Sequence, residues 1–117
     1  MADLTIYHNP RCSKSRQTLQ LIEQNNAEVT IVEYLKTPPT AATIENILTT
    51  LAIEPRQLMR FKEAEYKEQN LADDSLTREQ LIAAMIATPK LIERPIVVGN
   101  GKACIGRPPE NVLALLG

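Results

Sequence analysis

The chain has 117 residues, 44% of them apolar, and a formal net charge of −1. That length fits one compact domain, residues 1–117, whose core needs no disulfide or metal, and near-neutrality excludes a global attraction for nucleic acid or anionic membrane. Two cysteines far apart, Cys12 and Cys104, match no metal-ligand spacing and make a poor disulfide framework.

No basic-then-apolar leader opens the sequence, and no apolar run approaches membrane-spanning length. A reducing, cytoplasmic setting is the expectation. Residues 4–7 read as a short strand and His8-Asn9-Pro10 as its turn. A helix is expected over 13–24, with Thr18, Leu19 and Ile22 on one face and Asn25-Asn26 as its stop. Residues 29–34, rich in β-branched side chains, form the second strand, so the opening is a right-handed βαβ unit with parallel strands.

Thr37-Pro38-Pro39-Thr40 then breaks the chain, and Thr40 caps a helix whose Ile44, Ile47, Leu48 and Leu51 follow the i, i+3, i+4, i+7 pattern. The pattern weakens over 53–74, where short helical turns and loops are expected. Thr77 and Gln80 have the spacing of a capping box, and Leu81, Ile82, Met85 and Ile86 supply the apolar face of the helix that Thr88-Pro89 ends. Residues 96–98 and 102–105 make a hairpin around a three-residue loop, Gly99-Asn100-Gly101. Pro108-Pro109-Glu110 opens a last helix in which Val112, Leu113 and Leu116 face the sheet. The order βαβα, a helical insert at about 40–90, then ββα closes as a four-stranded mixed sheet flanked by helices, the thioredoxin-like α/β arrangement.

Cys12 carries the chemistry. It follows a strand at the first turn of a helix, where unpaired N–H groups and the helix dipole favour thiolate over thiol. Arg11, Lys14 and Arg16 stand within four residues of it and push the same way. This setting favours a nucleophile over a small core thiol. A Cys-x-x-Cys redox pair is absent, because Ser15 occupies the second position, so an intermediate on Cys12 needs an external thiol to clear it. Ser13 and Ser15 are candidate hydrogen-bond donors to the thiolate or to a bound oxyanion. Arg60, Arg94 and Arg107 stay charged and donate bidentately, although each alone reads as a surface charge. His8, the sole histidine, either stabilises the thiolate as imidazolium or caps the turn, and Cys104 reads as a strand core thiol.

His8-Asn9-Pro10-x-Cys12-x-x-Ser15-Arg16, Arg60, Arg94-Pro95-Ile96-Val97-Val98 and Arg107-Pro108 together resemble the glutaredoxin-coupled arsenate reductase family over nearly the whole chain. The resemblance implies that Cys12 attacks arsenate, that Arg60, Arg94 and Arg107 hold the oxyanion with Ser15 and Arg16 nearby, and that His8 assists Cys12. It also implies a cis peptide bond before Pro95. Glutathione is then a co-substrate and glutaredoxin a partner, with no bound cofactor or metal. Two other readings stay open: a glutathione-linked thiol oxidoreductase with a different substrate, and a redox-responsive regulator that binds RNA polymerase. The latter class usually presents a Cys-x-x-Cys switch.

Overall fold

Parallel pairing of Asp3–His8 (β1) with Glu28–Glu33 (β2) organises the sheet, in register from Leu4 against Val29 to His8 against Glu33. Between them runs Ser13–Gln24 (α1), so the first three elements form the expected βαβ unit. The computed structural model describes residues 3–99 and 101–116. Ile96–Gly99 (β3) pairs antiparallel with β1 and with Lys102–Ile105 (β4), giving the order β2-β1-β3-β4. The sheet is therefore mixed and four-stranded, and the fold is thioredoxin-like.

The chain divides into two units, one comprising Met1–Thr37 and Arg94–Gly117 and the other Pro38–Glu93. In the first, Leu4 and Ile6 of β1, Ile22 of α1 and Val97 of β3 are fully buried in one apolar cluster with Val112 and Leu115. Their spacing explains the elements. Leu4 and Ile6 alternate along a strand, while Thr18 and Ile22, one turn apart, sink the inner face of α1. Asn25 caps α1, and Asn26 takes the left-handed conformation (φ 57°) that asparagine tolerates, ending the helix where the paired asparagines predict.

His8 lies in β1 rather than in its turn, and two further details depart from the sequence expectation. Gly99 pairs with Lys102, so β3 reaches one residue into the expected loop, whose Asn100 lies outside the described residues. Near the C-terminus, Pro109–Val112 winds as a 3-10 turn before the short helix Leu113–Leu116. With three residues per turn rather than 3.6, that start rotates the inward face. Val112 and Leu115 are buried and Leu113 is 45% exposed, whereas the sequence pattern turns Leu113 inward.

The second unit is helical. Ala41–Leu51 (α2) starts at Thr40, whose side chain accepts the Thr43 N–H, and buries Ile44, Ile47 and Leu48. A 3-10 turn over Pro55–Leu58 and the five-residue Ala64–Glu68 (α3) replace any long helix in the weakly patterned stretch. Arg78–Ala87 (α4) opens on the reciprocal Thr77–Gln80 capping box and packs Leu81, Ile82 and Met85 inward. Arg56 ties the intervening loop by donating to the Leu71 carbonyl at 3.1 Å and the Asp73 carbonyl at 2.6 Å. No described helix is long and apolar enough to cross a membrane.

Candidate active site

The turn leaving β1 sets the position of Cys12. Asn9 builds it: its side-chain Oδ1 accepts the Arg11 N–H and its carbonyl accepts the Cys12 N–H, both at 3.0 Å. Cys12 then stands at the N-cap of α1 with extended backbone (φ −93°, ψ 123°), and the residue is only 8% exposed. The backbone N–H groups of Ser15 and Lys14, in the first turn of α1, lower the pKa of the thiol, although the Cys12 side chain makes no cap hydrogen bond.

From the other end of the chain come two guanidinium groups. Arg107 extends Nη2 to 3.6 Å from Cys12 Sγ while its Nε donates to the Arg94 carbonyl at 2.8 Å. Arg94 and Arg107 each precede a proline through a cis peptide bond, Arg94-Pro95 as the resemblance implies and Arg107-Pro108 in addition. Gly106 draws the two segments together: its N–H donates to the Pro95 carbonyl at 2.9 Å. A Cβ there would fall 2.4 Å from Thr18 Oγ1 and 2.8 Å from Pro95 Cγ, so only glycine fits.

Burial is the largest single influence on Cys12 and pushes its pKa up. The Ser15 N–H, the Arg94 charge, the Lys14 N–H and the Arg107 charge together outweigh it, and the net displacement is downward. A low-pKa thiol is thus present, but its cations differ from the sequence neighbours. The side chains of Arg11, Lys14 and Arg16 are exposed, and Arg16 turns back to donate to the Pro10 carbonyl at 3.1 Å.

Ser15 is fully buried and serves the scaffold through its side chain. Its Oγ shares a 2.6 Å hydrogen bond with His8 Nδ1 and accepts the Asn9 N–H at 3.0 Å. His8, 6% exposed, has its pKa lowered chiefly by burial; Glu33 opposes this and Arg16 reinforces it. The neutral ring is therefore favoured, and positive charge at the sulfur comes from the arginines. Cys104 opposes Val97 across β3–β4, packs against the apolar cluster and is pushed up by burial to about 11. Arg60 belongs to the second unit, where its Nη1 lies 3.4 Å from Glu63 Oε2. Among the described residues no group of three or more His, Cys, Asp and Glu is placed to hold a metal ion.

Sequence reasoning named Asn9 only in the turn and motif and Thr18 only on a helix face, and it passed over Gly106. For Gly106 a signal was present: a glycine directly before Arg107-Pro108 marks a backbone that must approach another closely. The arrangement as a whole offers a nucleophilic sulfur, helix N–H donors and two guanidinium groups, a combination suited to attack on a small oxyanion.

Comparison with known proteins agrees with that chemistry. The model of the ArsC family matches residues 7–115. The chain is 60% identical over 113 residues to "Uncharacterized protein YfgD" of Escherichia coli K12, covering 96% of this chain and 95% of that protein. It is 44% identical over 117 residues to an arsenate reductase of Neisseria meningitidis serogroup A, covering 99% and 100% respectively. The solved structure of an arsenate reductase from Vibrio cholerae superposes with a TM-score of 0.94 at 49% identity, covering 97% of each chain.

Proposed function

The chain belongs to the ArsC family, and from that premise we propose that it reduces arsenate to arsenite through a covalent adduct on Cys12. The observation that carries this reading is the sulfur itself, at the N-cap of α1 and 3.6 Å from a guanidinium nitrogen. Arg94 and Arg107 neutralise the bound oxyanion. Arg60 is read as a further oxyanion ligand from the resemblance, and His8 and Ser15 as the pair that steadies the turn around Cys12.

Cys12 Sγ attacks arsenic(V), the S–As bond forms, and one arsenate oxygen leaves as water. Glutathione then attacks the adduct. As a sulfur–sulfur bond forms, the S–As electron pair passes to arsenic, which leaves as arsenite, As(III). The glutaredoxin thiolate attacks the glutathione sulfur, forms a new disulfide to it and breaks the bond to Cys12, which leaves as thiolate. Ser15 in place of a second cysteine makes the external thiols necessary, and their supply fits a cytoplasmic setting.

The test is arsenate turnover with glutathione and glutaredoxin. Wild-type protein is expected to turn over, to stall after one event without added thiol, and to lose activity as Cys12→Ser. Full activity in Cys12→Ser ends the proposal.

A further inference from the structure

Beside the Cys12 turn lies a cleft of about 240 Å³ that the steps above leave unused. Pro10 and Arg11 line it from the turn, while Glu33, Leu35 and Lys36 line it from the end of β2 and the residues that follow. The nearly buried His8 forms part of its wall. Its volume falls somewhat below the ~300 Å³ at which pockets for drug-sized ligands begin, which suits a small peptide.

The charges specify which kind of ligand. Arg11 and Lys36 are cationic and Glu33 is anionic. Lys36 Nζ stands 3.5 Å from Glu33 Oε1, with the two side chains 79% and 44% exposed. So exposed a pair holds little energy, and a ligand bearing both signs can exchange with it at small cost. Leu35, 46% exposed, adds an apolar wall. Arsenate alone would meet Glu33 with like charge, and an aliphatic ligand would leave the charges uncompensated. Two carboxylates, one ammonium and short methylene stems mirror the cleft group for group, and glutathione carries that set. The backbone couples the cleft to the sulfur, since Arg11 adjoins Cys12 and the Asn9 carbonyl holds the Cys12 N–H at 3.0 Å.

The geometry points to this cleft as the binding site for glutathione, with Arg11 and Lys36 on its carboxylates, Glu33 on its ammonium and Leu35 against its methylenes. The site deepens the reductase reading and rests on it for the thiol's role, yet its occupancy can be tested without arsenate. S-methylglutathione, which has no free thiol, is titrated into isotopically labelled protein. Saturable shifts are expected at the amides of Arg11, Glu33 and Lys36, with affinity about fivefold weaker in Lys36→Glu. In turnover, the ratio of the glutathione rate to the 2-mercaptoethanol rate is expected to fall by a similar factor in Lys36→Ala. Lys102→Ala, on the opposite edge strand, leaves that ratio as it is. Shifts confined to other residues, or equal affinity in Lys36→Glu, overturn the site. Binding in the cleft by a protein that never turns over arsenate upholds the site and removes the reductase reading instead.

Discussion

The two arginines beside Cys12 act on its sulfur in different ways, Arg107 through a 3.6 Å contact and Arg94 through its charge. Arg107→Ala is therefore expected to raise the Cys12 pKa and to slow alkylation by iodoacetamide at pH 7 by up to about tenfold, the equivalent of one pKa unit. Arg16→Ala should leave the alkylation profile in place, because that side chain is exposed and bonded to the Pro10 carbonyl. His8 supplies a second pH effect. Its folded-state pKa lies below the unfolded value of about 6.5, so between the two the unfolded chain binds more protons and stability rises with pH. Acidification should weaken the fold as pH falls from the unfolded value through the folded one, and His8→Gln should flatten that part of the urea-denaturation profile. At this scale the nucleophile was legible from its local sequence, and its cations only through the family resemblance. Arg11, Lys14 and Arg16 are near in sequence, but the turn and the first residues of α1 leave their side chains exposed. The cations that act on the sulfur, Arg94 and Arg107, come from segments joined to it only by folding, whereas the Ser15 and Lys14 N–H groups adjoin it in sequence.

Among the elements, the first turn of α1 depends on Ser15, whose hydroxyl satisfies both the Asn9 N–H and the His8 ring. Ser15→Ala strands those buried groups and should cost about 1–3 kcal/mol, measurable by urea denaturation. The junction of α1 with the segments carrying the two arginines depends on Gly106. Gly106→Ala drives a methyl into Thr18 and Pro95 and should destabilise by about 1–3 kcal/mol. Adding Thr18→Ala removes one of the two obstructions, so the double variant should recover part of the loss in thermal unfolding. Helix starts were the most legible elements, since Thr40 and Thr77 cap through their own side chains. The C-terminal segment was misphased because apolar spacing does not distinguish a 3-10 start from an α-helical one, and Leu113 faces solvent as a result.

For the molecule as a whole, the sheet order could be read because a βαβ unit and a hairpin leave few ways to close four strands. Residues 53–76 were less legible, because their stability comes from scattered ties such as Arg56 to two carbonyls rather than from a periodic apolar face. A ligand that binds only the folded chain shifts global stability, so arsenate at a hundred times its Kd should add about 2.7 kcal/mol to unfolding. Arg94→Gln together with Arg107→Gln should remove that gain in a thermal-shift titration. Finally, the two cysteines are displaced in opposite directions, Cys12 downward and Cys104 to about 11. At neutral pH an electrophile small enough to enter should consume one equivalent per chain, as intact mass would record. Unmutated protein thus offers a single attachment point for a spectroscopic tag, located where the chemistry happens.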